Sequence, residues 1–194
     1  MVLETEGCDS FAVVFTDIKT NRLILRSLRE EDRPTMIKLH TDPRTTQFES
    51  DPPDAAQVGL LVDTWLAHWI EHGYGYCAVT TRASPDVIGL AGARVRDFHD
   101  EKVLNLGYRF HPEVWGRGYA VEAAKAVVDW RARAMPWMPL VASVNVANER
   151  SGRVAERIGF TEYTEEFYDG ALSRHYRLEA TPPGKGVDSA VHGS

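Results

Sequence analysis

The sequence predicts an α+β fold: one mixed, largely antiparallel sheet with helices on both faces. Three observations carry that expectation. Segments with two-residue alternation take turns with segments whose apolar residues recur every three to four positions. Short links join several of the β segments, as antiparallel neighbours require. One strand, helix, strand passage, from Val103 to Val146, calls for a parallel crossover. The 194 residues suit a single domain, and 43% hydrophobic with 26% charged residues excludes a disordered or fibrous chain. With 22 Lys+Arg against 28 Asp+Glu, the net charge of −6 argues against a nucleic-acid-tracking or membrane-surface protein. Cys8 and Cys77 are too few for a disulfide framework and lack C-x-x-C spacing. No run approaches the roughly 18 apolar residues of a membrane span, and no basic residue precedes Lys19, so a cytoplasmic setting is expected.

Residues 1–19 show no sustained period and read as a lead-in, with an added edge strand at Phe11 to Phe15; the domain spans residues 20–180. Leu23 and Leu25 alternate with Arg22, Ile24 and Arg26 as a strand, and Glu30, Glu31 and Asp32 open a helix containing Met36, Ile37 and Leu39. Asp54 caps a second helix, whose Val58, Leu61, Val62, Trp65 and Trp69 make one apolar stripe ending at Gly73. Tyr76 to Thr80, Val87 to Val95 and Val103 to Phe110 read as a meander, with Ser84-Pro85-Asp86 as the first turn. Ala120, Ala123, Ala124, Val127 and Val128 line a helix face narrow enough to approach a sheet closely, with Glu122, Lys125 and Asp129 opposite. Pro136 and Pro139 end it. Leu140 to Val146 is a buried strand, Asn148 to Ile158 a helix stopped by Gly159, and Phe160 to Phe167 with Leu172 to Leu178 a hairpin about Asp169-Gly170. Residues 181–194, rich in Pro and Gly, are expected to be a disordered tail.

Trp115-Gly116-Arg117-Gly118-Tyr119-Ala120 joins a strand end to a helix start, where unpaired N–H groups and the helix dipole favour an anion. Gly116 and Gly118 let main chain approach a ligand, Ala120 keeps the first turn narrow, and Arg117 supplies a positive charge. A pyrophosphate fits such a turn. The plainer reading is a turn that only shapes the junction. The phosphate-binding G-x-x-x-x-G-K-[ST] string is absent, and Val121 stands where a dinucleotide fingerprint needs a small residue.

These residues resemble the acyl-CoA loop of the GNAT N-acetyltransferases, [QR]-x-x-G-x-[GA], here Trp115, Gly118, Ala120. Trp in first place, within W-G-[KR]-G-Y-A-x-E-A, is similar to the RimJ/RimL branch that acetylates protein N-terminal amines, and Glu122-Ala123 continue the match. Asn21 to Arg26 with Glu31-Asp32, Leu106-Gly107-Tyr108, Asn148-x-x-Ser151 and Ile158-Gly159-Phe160 extend the resemblance over about residues 20–179.

The resemblance implies the GNAT fold, with the sheet splayed at its central strands, and an acetyl-CoA-dependent N-acetyltransferase working by direct attack of an amine in a ternary complex. No metal is implied. Acetyl-CoA would be bound by Phe110, Trp115, Gly116, Arg117, Gly118, Tyr119, Ala120, Asn148 and Ser151, with an N–H near Phe110 or His111 polarising the carbonyl. Ser151 is implied as proton donor to the leaving thiolate, although a first-turn serine also caps helices; Asn148 is likewise a natural N-cap. Ala155 replaces the tyrosine that more typical members use as acid, and Asn105 replaces the glutamate often found before Gly-Tyr, where it orders a water or the amine. Asp97, His99, Glu101 and His175 are candidate bases that read more simply as surface groups. The string His68-x-x-Glu71-His72 has zinc-protease form without a further ligand set, and Trp65, Trp69 and Tyr74 read as core before acceptor groove.

The acceptor is a protein N-terminus or a small amine; no nucleic acid or membrane partner is expected. Relatives commonly pair as homodimers, and no periodic feature of this chain marks an interface. Asn105 and Ala155 keep open a non-catalytic CoA-binding regulatory domain, and the glycine turn a nucleotide site.

Overall fold

A computed structural model describes residues 15–168 and 170–181. Its elements run β1 (Ile18–Lys19), β2 (Leu23–Ser27), α1 (Arg33–Thr41), α2 (Pro43–Thr46), α3 (Ala55–His72), β3 (Tyr76–Thr81), β4 (Ser84–Phe98), β5 (Glu101–Phe110), α4 (Tyr119–Ala134), β6 (Leu140–Asn145), α5 (Glu149–Arg157), β7 (Tyr163–Tyr168) and β8 (Ala171–Leu178). The strands form one sheet in the order β1-β2-β3-β4-β5-β6-β8-β7. Every pairing is antiparallel except β5 with β6. The mixed sheet, the crossover and the covering helices are as the sequence predicts. The strand expected at Phe11 to Phe15 and the tail lie outside the described residues but for Phe15 and Thr181.

Alternation along β3 sorts the core into two layers. Cys77 and Val79 face the larger one, with Leu25, Ala91, Ala93, Leu104 and Leu106 under Ala123, Ala124 and Val127 of α4 and Ala155 of α5. Tyr76, Ala78 and Leu90 face the other, under Met36 and Leu39 of α1 and Val58, Val62 and Trp65 of α3. Each buried aliphatic side chain is worth about 1.5–3 kcal/mol relative to exposure.

Asp54 Oδ1 accepts from Gln57 N at 2.8 Å, and Gly73 ends α3 in the left-handed conformation (φ 73°). Leu61, expected in the stripe of α3, is instead 39% exposed, and His68 is buried. The burial continues through Trp65 and His68 along one i, i+3 row, and the imidazoles of His68 and His72 lie 4.3 Å apart. Trp65 and Tyr74 are core residues, and Trp69 Nε1 donates to Tyr76 O at 2.7 Å.

Ser84-Pro85-Asp86 is not the turn. The chain reverses at Arg82-Ala83 and β4 starts at Ser84. Pairing steps from Thr81↔Ser84 to Thr80↔Val87, leaving Pro85 and Asp86 in a bulge. A residue without an N–H is tolerated there, and Ser84 Oγ takes the amide of Asp86 at 3.2 Å.

The two central strands separate. β5 pairs with β6 only at Leu104↔Leu140 and Asn105↔Val141. Beyond that point β5 follows β4 to Gly89↔Phe110, while β6 follows β8 to Asn145↔Ser173. Each strand keeps its outer neighbour, so the inner edges face a gap.

Candidate active site

The glycine turn sits at one mouth of this gap. After a 3₁₀ turn at Pro112–Val114, Gly116 and Gly118 both take φ 76°, a region costly for residues with a Cβ. Gly118 is the N-cap of α4 and offers no side-chain oxygen. Among the described residues, the amides of Gly116 to Val121 donate to no partner, so this helix start faces outward with its donors free. A Cβ on Gly116 would meet nothing within 4 Å, so the space before the turn is open.

The turn is fastened from behind by residues about 100 positions earlier. Glu122, expected on an exposed face, has a side chain only 17% exposed. It accepts from Thr20 Oγ1 at 2.6 Å, Arg22 N at 2.8 Å and Arg22 Nε at 2.6 Å. Arg22 Nη1 also donates to Arg117 O at 2.9 Å, and its guanidinium lies 4.7 Å from the centre of the Tyr119 ring. Burial alone would raise the Glu122 carboxyl pKa, but the bonds from Thr20 and Arg22 outweigh it and hold the value below the usual range.

His111 N donates to Ile88 O at 3.0 Å, so that amide is occupied and cannot serve the gap. The alternation of an antiparallel ladder then turns the main-chain groups of Tyr108 and Phe110 away from β4, toward β6. Trp115 Nε1 takes the Phe110 carbonyl at 2.8 Å, leaving the Phe110 N–H and both groups of Tyr108 on the gap. This corrects the choice between Phe110 and His111 and gives Trp115 a role that a long polar residue would also fill.

Asn148 caps α5, its Oδ1 accepting from Ser151 N at 3.1 Å. Tyr108 OH crosses the gap and donates to Ser151 O at 3.0 Å, tying α5 to β5. Burial holds the Tyr108 phenol well above its ordinary pKa, so it stays protonated. The Ser151 side chain also lies within hydrogen-bonding reach of the Tyr108 hydroxyl, and it lines the cavity beyond the gap. Asn105 Nδ2 donates to Tyr76 OH at 2.6 Å. Gly107 makes room for that contact, since a Cβ there would stand 2.9 Å from the Tyr76 ring and hydroxyl.

The gap opens on the α1–α3 side into a cavity of about 520 Å³, whose lining includes Glu49, Arg96, Asn105, Ser143, Asn148 and Ser151. The size is right for a small ligand. Glu49 pairs with Arg109 across its rim, and Asn145 Nδ2 holds the neighbouring loop through Phe48 O at 2.8 Å. Arg96 donates to Tyr168 OH and Ser143 Oγ, each at 2.9 Å. Of the four candidate bases, Asp97 pairs with Lys102 and Glu101 with Arg177 on the surface. His99 is exposed, its side chain at 60%, whereas His175 is buried next to Ser143. The structure therefore gathers Asn105, Asn148, Ser151 and the Phe110 N–H about one gap, with Trp115 to Ala120 at its mouth. The sequence does not single out Arg22, Glu122, Ser143 and Tyr108 as site residues, although Arg22, Tyr108 and Glu122 each fall within a motif that carries the resemblance.

The acetyltransferase (GNAT) domain family matches residues 22–161. The protein YkkB of Bacillus subtilis is 30% identical over 147 residues, covering 74% of this chain and 84% of its own. An acetyltransferase of Agrobacterium tumefaciens superposes with a TM-score of 0.72 at 29% identity, over 89% of this chain and 99% of that one. RimL, a ribosomal L7/L12 α-N-protein acetyltransferase solved with coenzyme A, shares the fold with a TM-score of 0.67 at 17% identity, over 84% and 98%. The match over most of the chain, with the free-amide turn at the mouth of a splayed sheet, places the chain in the GNAT acetyltransferase family.

Proposed function

We propose that the chain, through residues 20–180, transfers the acetyl group of acetyl-CoA to a primary amine by direct attack in a ternary complex. The observation that carries this reading is the unpaired run of amides from Gly116 to Val121 opening onto the β5–β6 gap, with a polar cavity beyond. The amides hold the diphosphate with Arg117 alongside, and the helix dipole favours its charge. Main chain at Tyr108 and Phe110 lies along the pantetheine, and an N–H from this edge polarises the thioester carbonyl. Ser151 Oγ protonates the departing thiolate, while Asn148 fixes the turn that carries it. The amine enters from the cavity, past Asn105. Cys77 is buried, and burial drives its thiol pKa far up, so it is no acetyl carrier.

The acceptor follows from the relatives only as a class. RimL acts on a ribosomal protein N-terminus, and another structure of this fold is a spermidine N-acetyltransferase from Vibrio cholerae. The same reading sets the reaction in the cytoplasm; among the described residues no helix is long and apolar enough to cross a membrane.

The test is thiol release from acetyl-CoA across α-amino peptides, polyamines and other small amines. Turnover with one class supports the reading. Calorimetric binding of CoA without release for any amine would favour a binding domain, which Asn105 and Ala155 leave open. Ser151→Ala should lower kcat about 100-fold with unchanged acetyl-CoA affinity; a loss of affinity alone would make Ser151 a cap.

A further inference from the structure

At the cavity wall, three neighbouring strands line up a serine, an imidazole and a carboxylate. Register pairs Ser143 of β6 with His175 of β8, and Ser143 Oγ lies 2.9 Å from His175 Nδ1. On the other side of the ring, His175 Nε2 is 3.3 Å from Oε1 of Glu166 on β7. That oxygen is also 3.2 Å from Nε2 of His99, which reaches solvent. His175 itself is 3% exposed, whereas Ser143 lines the cavity.

The surrounding groups set the direction of proton travel. Nε2 and the Glu166 oxygen are within ion-pair distance without being aligned for a hydrogen bond. A bare ring lone pair facing a carboxylate would be repelled, so the proton of the neutral ring sits on Nε2 and Nδ1 is left as an acceptor. Arg96 Nη2 only donates, and it donates to Ser143 Oγ at 2.9 Å. The Ser143 proton is thereby free to point at Nδ1. The ring is faced by Arg96 and Phe98 of β4, His99 of the β4–β5 turn, Ser143 of β6, and Glu166 and Tyr168 of β7. Burial, with Arg96 and His99, lowers the His175 pKa against the opposing pull of Glu166, so the ring is neutral at pH 7 and its Nδ1 lone pair is open to the Ser143 proton.

We propose that Ser143 and His175 form the proton relay that deprotonates the acceptor amine. This rests on the transferase reading above. One N–H proton of the ammonium passes to Ser143 Oγ as the Ser143 proton passes to His175 Nδ1. The products are a neutral amine with a free lone pair, an intact serine hydroxyl, and an imidazolium beside Glu166. After the amine has reacted, Nδ1 returns its proton through Ser143 to water in the emptied cavity, which restores the neutral Nε2–H ring beside Glu166. Ser143 touches the substrate; His175 acts through it.

The test follows kcat against pH for the wild type, His175→Gln, Ser143→Ala and the double variant, with the best amine of the panel. Each single variant should lose about 100-fold in kcat near pH 7 with acetyl-CoA affinity unchanged, and the double variant should lose no more than either. The loss should shrink about tenfold per pH unit as the solution deprotonates the amine. Variants within threefold of wild type, losses that multiply, or a loss that is the same at every pH would overturn the relay. Nitrogen-15 spectra of the His175 ring test the wiring without turnover. A neutral Nε2–H tautomer at pH 7 is expected, and an Nδ1–H tautomer or an imidazolium would refute it. Absence of wild-type turnover on every amine would defeat the transferase reading, a result distinct from a wrong tautomer or an unchanged pH profile.

Discussion

Removing Glu122 should loosen the Gly116–Gly118 turn from a distance. The carboxylate gathers hydrogen bonds from Thr20 Oγ1, Arg22 N and Arg22 Nε at 2.6–2.8 Å, and Arg22 passes the constraint to Arg117 O at 2.9 Å. A hydrogen bond to a charged group contributes about 1.5–3 kcal/mol when dry. Here the Arg22 side chain is 44% exposed, so water recovers much of its share, and Glu122→Ala should cost about 2 kcal/mol in all. At this chain length that is about 4–8 °C in Tm. If half of the loss reaches the turn through Arg22, acetyl-CoA binding weakens by about 1 kcal/mol, roughly fivefold in Kd. Glu122→Gln keeps one oxygen for Thr20 and the Arg22 amide and should fall between. Differential scanning calorimetry gives the first quantity and titration calorimetry with acetyl-CoA the second. A Glu122→Ala protein with wild-type Tm and Kd would refute the anchoring argument; a lowered Tm with unchanged Kd would show that the anchor stabilises the fold without shaping the turn.

Gly118→Ala puts a Cβ on a residue at φ 76° and should cost about 1–2 kcal/mol from backbone strain. The new atom meets only Arg22 Nη2, at an ordinary 3.6 Å, so chemical denaturation should read strain without a clash, and a neutral result would mean that the turn is not held left-handed. Acid should destabilise the fold through His40, whose pKa is lowered to about 3 by burial and by Arg109 and His111. The unfolded imidazole takes a proton below about pH 6.5 and the folded one does not, so stability is complete above that pH and falls as pH drops toward 3. Between pH 6.5 and 5 the His40 contribution is about 2 kcal/mol, and urea melts of His40→Gln should show a correspondingly shallower pH dependence; equal slopes would refute it.

Much of the site was legible because its signals are local. The turn at Gly116 and Gly118 needs left-handed backbone at both positions, and it leads into a helix start whose N-cap offers no side-chain oxygen. Asn148 announces itself as an N-cap, and its acceptor bond from Ser151 N needs only three residues of spacing. Leu61 and the Ser84 to Asp86 bulge were misread for the converse reason. Five apolar residues fit one stripe on paper while the neighbouring helix covers only part of it, and a Pro-Asp pair looks like a turn until the partner strand shows it bulging.

By itself, the sequence determined which segments are strands and which are helices, where the glycine bend lies, and that Asn148 and Ser151 open a helix behind it. Periodicity, capping and glycine conformation are properties of a few consecutive residues. The tertiary structure alone decided that β5 and β6 part after Asn105↔Val141, that Arg22 and Glu122 clasp the bend, and that His175 lies between Ser143 and Glu166. Those contacts join residues up to about 100 positions apart, and a one-residue slip in strand register would send each partner to the opposite face of the sheet.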